Sequence, residues 1–101
     1  MKFSEFKLNE TILDALFYMN FEEATEIQIK AIPTILDGKD LIGCAQTGTG
    51  KTAAFVLPTL NQIADAPSDG VQVLILCPTR ELAIQIADDA SNLVKHLDLG
   101  V

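Results

Sequence analysis

The feature that most constrains this chain is a glycine-rich octet, AQTGTGKT, at residues 45–52. Glycines in such a loop let successive backbone N–H groups turn inward around the oxygens of a polyphosphate, where a Cβ would obstruct them. Lys51 is then placed to reach the outer phosphates, and Thr52 to offer its hydroxyl to Mg²⁺. The octet therefore predicts a nucleoside triphosphate site in which Lys51 and Thr52 are the candidate catalytic residues. The predicted nucleotide-binding residues are Ala45, Gln46, Thr47, Gly48, Thr49, Gly50, Lys51 and Thr52.

The flanking segments favour this interpretation over a glycine-containing turn with a solvated lysine. Residues 40–44 are predicted to form a short buried strand, and residues 52–57 an apolar helix. A helix that begins here directs its positive dipole end toward bound phosphate. The first glycine of the usual pattern is replaced by Ala45, which tightens one end of the loop slightly.

Length and composition indicate a single globular unit. The chain has 101 residues, of which 49% are hydrophobic, and its mean hydropathy is +0.28. Charges or prolines interrupt every apolar run before it reaches membrane-spanning length. The first residues lack the apolar segment of a signal peptide, so we expect a cytoplasmic protein with no membrane partner.

The charge balance bears on possible partners. Seven basic and fourteen acidic residues give a net charge of −7, which opposes non-specific attraction to a nucleic-acid backbone. We therefore expect RNA binding by this chain alone to be weak or absent. Cys44, Cys77 and His96 lack the spacing of metal ligands, and reduced thiols are expected.

Helices and strands are predicted to alternate along the chain. Asn9 is expected to cap a helix that runs through Met19, and Asn20 to end it in a left-handed conformation. Thr25 is expected to cap the next helix. Pro33 should interrupt that helix, leaving a short turn that ends at Gly38.

The second half of the chain continues the alternation. The helix after the octet contains Pro58, which is expected to bend it. Residues 71–77 form an almost wholly apolar segment, as expected for a strand covered on both faces in a parallel sheet. Thr79 should begin a last helix that reaches about Leu97. Two strands are too few for a stable open sheet, so we expect a larger domain of which this is the front part.

Three segments occur in a familiar order: FEEATEIQ at 21–28, the octet at 45–52, and PTRELA at 78–83. Together they resemble the Q motif, motif I and motif Ia of the DEAD-box RNA helicases, and the resemblance covers essentially the whole chain. It implies an α/β fold, a partial RecA-like P-loop domain with parallel strands flanked by helices, truncated after the second main strand. Residues 1–38 would be its Q-motif helical region, and residues 39–101 its phosphate-loop and motif Ia β-α units.

The resemblance also assigns nucleotide contacts. It implies that Gln28 hydrogen-bonds the adenine edge, that Phe21 stacks on the base and that Phe3 supports this pocket. A glutamine amide paired with the N6/N7 edge contributes about 1–3 kcal/mol of base discrimination, or roughly one to two orders of magnitude in favour of ATP over GTP. The alternatives remain open: Thr25 and Gln28 fit a capping box, and Phe21 fits a core position.

Two positions depart from the family's Q motif. Asn20 stands where glycine is usual, and Asn tolerates the same positive φ. Ala24 stands where proline is usual, which removes some rigidity from the presentation of Gln28.

Motif Ia of the family contacts the RNA backbone, which implies such a role for Pro78, Thr79 and Arg80. From the residues alone, simple capping by Thr79 and a solvated pair of Arg80 with Glu81 is favoured instead.

The family's acidic motif II and second RecA-like domain have no counterpart in this sequence, and residues 88–90 (DDA) are predicted to lie on a solvated helix face. The resemblance implies a helicase that uses ATP and Mg²⁺ to unwind or remodel RNA, with the remainder of the helicase core as partner. Phosphoryl transfer needs several positioned groups, so this chain alone is expected to lack turnover. The alternatives are another P-loop enzyme, a non-catalytic nucleotide-binding or partner-binding module, and an inactive unfolded product.

Overall fold

The computed structural model describes residues 1–45, 50–65 and 69–95. In these ranges the chain forms a 3₁₀ turn at Phe3–Glu5 and four α-helices, which are α1 (Glu10–Tyr18), α2 (Glu26–Leu36), α3 (Lys51–Asp65) and α4 (Arg80–Leu93). Helix α3 is central, because it packs against both α2 and α4. None of the helices found in these ranges is long and apolar enough to cross a membrane.

Helix α1 begins and ends as the sequence predicts. The side chain of Asn9 accepts a hydrogen bond from the backbone N–H of Ile12 at 3.0 Å, which caps the helix. At the other end, Asn20 adopts a φ of 63°. The backbone N–H of Phe21 then donates to the carbonyl oxygen of Leu16 at 2.9 Å, so the position of Phe21 is tied to the last turn of α1.

Helix α2 begins at its predicted cap, Thr25, but it continues through Pro33, so the expected interruption there is wrong. A proline inside a helix removes one backbone donor and frees the carbonyl four residues earlier. Pro33 and Ile29 both lie on the exposed side of α2, where water can satisfy that carbonyl. The helix ends at Leu36, and the turn that follows closes at Gly38, whose φ is +78°, as predicted.

Helix α3 also continues through its proline. Pro58 is fully buried, and the adjacent Thr59 hydroxyl donates to the carbonyl oxygen of Phe55 at 2.6 Å. The bend predicted at Pro58 stays a prediction. Helix α4 begins after Thr79, as expected, but it ends at Leu93 with Val94 as its C-cap, so the end predicted at about Leu97 is wrong.

The hydrophobic core lies between the helices and the 3₁₀ turn. Its members come from every helix and from the N-terminal segment. The most deeply buried are Ile12, Leu16, Ile32 and Leu57. Two of these four lie on α1, so the N-terminal region is an integral part of the core.

The two segments predicted to be strands differ from expectation. No strand is assigned at 40–44 or 71–77, and an isolated antiparallel bridge joins Lys2 and Glu23 within the described ranges. Ile42 is 95% exposed and Leu76 is 85% exposed, so these segments are not buried. A strand of a parallel sheet is covered only when neighbouring strands and helices surround it, and the described part of the chain contains no assigned strand that could lie beside these segments.

Candidate functional site

The clearest link between two of the predicted motifs is made by Gln28. Its side chain lies at the start of α2 and the residue is only 3% exposed. The Oε1 atom accepts a hydrogen bond from the backbone N–H of Thr25 at 2.8 Å. The Nε2 atom donates to the carbonyl oxygen of Gly50 at 3.2 Å. One amide therefore joins the Q-motif helix to the end of the predicted phosphate loop.

The capping role predicted for Gln28 is thus confirmed, and the side chain makes a second contact in addition. Gln28 closes its half of the capping box with Thr25. The Thr25 hydroxyl is buried and makes no hydrogen bond within the described ranges, so the other half of the box is looser. An amide has two donor hydrogens and two acceptor lone pairs. Capping and the Gly50 contact therefore leave Gln28 further hydrogen-bonding capacity.

Gly50 must be glycine for two separate reasons. Its φ is +78°, a conformation that L side chains rarely adopt. A Cβ at this position would also collide with Nε2 of Gln28 and would lie 3.2 Å from its Cδ. The closeness of backbone and amide is possible only because no side chain separates them.

Lys51 and Thr52 are the first residues of α3, as the phosphate-loop interpretation requires. Lys51 is exposed, and no hydrogen bond or ion pair joins its ammonium group to another described residue. Ala45 and Gly50 bracket the loop and are half-buried. The four predicted site residues between them, Gln46, Thr47, Gly48 and Thr49, lie outside the described residues.

A cavity of about 390 Å³ opens beside Lys51, between α2, α3 and residues 41–43. Its walls are largely apolar and include Ile27, Ile35 and Phe55, and Lys51 is the one charged residue among the described residues that line it. Phosphate recognition needs several converging donors. Among the described residues that line the cavity, Lys51 is therefore the one charged donor that could contribute to such recognition.

The aromatic residues assigned to the base form a packed group. Phe3 is buried, and its ring centroid lies 5.8 Å from that of Phe21 and 5.8 Å from that of Phe6. Phe21 itself is half-buried and packs against the core. Phe21 therefore does pack as a core residue, and the exposed part of its ring remains available to a ligand.

The predicted motif Ia residues lie at the start of α4. The Thr79 hydroxyl accepts a hydrogen bond from the backbone N–H of Leu82 at 3.2 Å, which confirms the capping role. Pro78 and Arg80 are exposed, and Arg80 makes no salt bridge with Glu81 in the described ranges. Asp88 and Asp89 lie within α4, as predicted for a helix face.

One acidic residue near Gln28 has a shifted pKa. The hydrogen bond and the charge of Lys30, whose Nζ lies 2.9 Å from Oε1 of Glu26, lower the pKa of that carboxyl. The pair is solvent-exposed, so it contributes little to stability. Its contribution is present above the ordinary pKa of glutamate and is lost as the pH falls through the lowered value.

A second buried polar contact was not predicted from the sequence. The side-chain Oδ1 of Asn61, on α3, accepts a hydrogen bond from the backbone N–H of Asn9 at 2.7 Å. Asn61 is 6% exposed and follows the fully buried Leu57 by one helical turn. A polar residue on the apolar stripe of a helix was the available signal, although its partner could not be identified from sequence spacing.

Comparison with known proteins identifies related sequences over the same region. The family model described as DEAD/DEAH box helicase matches residues 25–101. The ATP-dependent RNA helicase CshA of Listeria monocytogenes is 60% identical over 92 residues, which are 91% of this chain and 18% of CshA. SrmB of Escherichia coli, an ATP-dependent RNA helicase, is 50% identical over 98% of this chain and 23% of its own length.

Solved structures agree with this relationship. The RNA helicase Prp28 from Chaetomium thermophilum, crystallised with ADP, superimposes with a TM-score of 0.89 and 43% identity over 99% of this chain and 25% of the Prp28 chain. A DEAD box protein from Methanococcus jannaschii gives a TM-score of 0.83 at 41% identity, over 92% of this chain and 25% of its own. The chain therefore spans about a fifth of the length of the curated relatives it matches.

Proposed function

Because the chain belongs to the DEAD/DEAH box helicase family, we propose that it is the ATP-binding part of an ATP-dependent RNA helicase. The observation that best supports this proposal is the hydrogen bond from Gln28 to Gly50. It holds the residue assigned to the base against the residue that ends the phosphate loop. Base recognition and phosphate binding would thus be joined in one site.

The residues present fit a nucleoside triphosphate. Gly50 provides a left-handed backbone position without a Cβ, and Lys51 offers an exposed ammonium group at the N-terminus of α3. Donors of this kind, at the positive end of a helix, are the chemistry that binds phosphate. Gln28 and Phe21 would supply adenine pairing and stacking, and Ala45 through Thr49 the remainder of the loop.

Lys51 and Thr52 are the residues proposed to act nearest the transferred phosphoryl group. Lys51 would stabilise charge on the outer phosphates, and the Thr52 hydroxyl would hold Mg²⁺. When bound, Mg²⁺ supplies charge neutralisation between the phosphates. Turnover would also require the acidic motif II and the arginines of a second RecA-like domain, for which the resemblance finds no counterpart among these 101 residues.

The partners proposed for this chain are RNA and the remainder of a helicase core. Pro78, Thr79 and Arg80 would meet an RNA backbone at the exposed start of α4, where the helix dipole adds to the positive charge of Arg80. The apolar segments 40–44 and 71–77 would become parallel strands when neighbouring strands cover them. We propose a cytoplasmic location, supported by composition.

One competing function has a specific observation in its favour. The net charge of −7 favours a nucleotide-binding module that acts without RNA. Such a module would bind ATP through the same residues, but it would confer no RNA-dependent activity on a longer protein.

A chimera tests the proposal and separates it from this alternative. Residues 1–101 would replace the matching segment of the Listeria CshA, which is 60% identical over 92 residues. We expect the chimera to separate a short RNA duplex in an ATP-dependent manner, and to lose this activity with Lys51→Ala. A folded chimera that binds ATP but does not unwind RNA would favour the module. A folded chimera that binds no ATP would contradict the proposal.

A further inference from the structure

Helix α3 contacts the N-terminal region through one buried polar side chain. Oδ1 of Asn61 accepts the backbone N–H of Asn9 at 2.7 Å, and Asn61 is 6% exposed. Asn9 is the residue that caps α1 through its own side chain. The bond therefore attaches the beginning of α1 to a fixed point on α3.

Helix α1 links Asn9, at its start, to Phe21, just after its end. Leu16, in the last full turn of α1, is buried in the core, and its carbonyl oxygen accepts the backbone N–H of Phe21 at 2.9 Å. A short helix with a cap at one end and such a closure at the other behaves as a rigid element. Displacing Asn9 would therefore displace Phe21.

The same helix α3 begins with the predicted phosphate-binding lysine. Asn61 follows Lys51 by ten residues, which is about 15 Å along the axis at 1.5 Å per residue. One end of α3 thus presents Lys51, and its later part holds α1. Helix α3 therefore contributes to the spacing between a phosphate-binding group and a base-stacking ring, together with the hydrogen bond from Phe3 N–H to the Glu22 carbonyl oxygen.

We propose that Asn61 is a positioning residue for the nucleotide base. By holding Asn9, it helps to set the position of α1 and hence the distance from Phe21 to Lys51. This inference rests on the proposed function, because it requires that Phe21 meets a base. Loss of the Asn61 acceptor should weaken binding of the base while leaving phosphate binding intact.

The test compares two ligands on the complete 101-residue chain. Affinities for Mg-ATP and for Mg-tripolyphosphate, which has no base, would be measured by calorimetry. For Asn61→Leu we expect the ATP affinity to fall by roughly 3- to 10-fold, the range that loss of one hydrogen bond produces, with the tripolyphosphate affinity unchanged. Asn61→Asp keeps an acceptor beside the positive end of α1 and should restore ATP affinity.

Two further variants serve as controls. Thr59→Val removes a hydroxyl whose bond stays within α3, so neither affinity should change. If circular dichroism shows that Asn61→Leu loses helix, Asn61→Ala takes its place, because alanine favours helix and admits water to the Asn9 N–H.

Three results would overturn the inference: equal losses of both affinities, an unchanged ATP affinity, or no recovery with Asn61→Asp. Failure of the unsubstituted chain to bind tripolyphosphate is a separate result that would contradict the proposed function itself.

Discussion

The side-chain amide of Gln28 donates a hydrogen bond to the carbonyl oxygen of Gly50 at 3.2 Å. The two residues lie 22 positions apart in the sequence, on segments that were each singled out by a separate pattern. Their contact brings the Q-motif helix to the residue immediately before Lys51. It is the structural basis for treating base and phosphate recognition as one site.

Replacing Lys51 by alanine should weaken Mg-ATP binding at least tenfold. The reason is that a charged hydrogen bond to phosphate contributes about 1.5–3 kcal/mol. Helix content should stay unchanged, because Lys51 is exposed at the start of α3. Calorimetric titration measures the affinity. Lys39 is also exposed, so Lys39→Ala is the matched control. Equal ATP affinities of the two variants would contradict the assignment of Lys51 to the nucleotide site.

Two substitutions at Gln28 separate capping from base recognition. Gln28→Glu keeps the acceptor for the Thr25 N–H but loses the donor to Gly50, whereas Gln28→Ala loses both. Both variants should lose the preference for ATP over GTP, by roughly 10- to 100-fold if the whole bidentate contact is lost. Thermal unfolding should show a smaller stability loss for Gln28→Glu. If the preference for ATP over GTP is retained, Gln28 does not recognise the base and acts only as a helix cap.

Two glycines with the same φ allow steric and conformational costs to be compared. Gly38 and Gly50 both have φ +78°, but a Cβ meets nothing within 4 Å at Gly38 and collides with Gln28 at Gly50. Gly38→Ala should cost about 1–2 kcal/mol of unfolding free energy. Gly50→Ala should cost more and should also weaken ATP binding. Urea unfolding of both variants measures the difference, and equal costs would mean that the Gln28 contact does not constrain Gly50.

Substitution of a buried leucine should lower the free energy of unfolding much more than substitution of an exposed one. Leu57 is fully buried, whereas Leu74 is 77% exposed. Leu57→Ala should cost about 2–5 kcal/mol of unfolding free energy, and Leu74→Asn less than about 0.5 kcal/mol. Because segment 71–77 is an uncharged apolar stretch, Leu74→Asn should also reduce self-association. Light scattering measures this effect, and a strong loss of stability with Leu74→Asn would show that the segment is packed.

Local signals in the sequence were sufficient for the helix ends. The side chains of Asn9 and Thr79 cap the helices predicted for them, Thr25 occupies its predicted N-cap position, and Asn20 has the expected positive φ. Each of these features depends on a few neighbouring residues, which is why single-sequence reasoning finds them. Pro33 was misjudged because its helical position is exposed and water can replace the missing bond.

Tertiary relationships were not available from such signals. Neither the Gln28 contact with Gly50 nor the Asn61 contact with Asn9 follows from spacing, because both depend on how α3 packs against other elements. Segment 71–77 has the composition of a buried strand, yet it is largely exposed here. Composition reports what a segment can form, whereas burial depends on its neighbours.

The most direct test is an amide proton–nitrogen NMR spectrum of the 101-residue chain, titrated first with Mg-ATP and separately with Mg-GTP. We predict dispersed signals that shift with ATP at Gln28, at Gly50 to Thr52 and at Phe21, and much smaller shifts with GTP. Equal shifts with both nucleotides would contradict adenine recognition by Gln28. A folded spectrum that responds to neither nucleotide would contradict the nucleotide site itself.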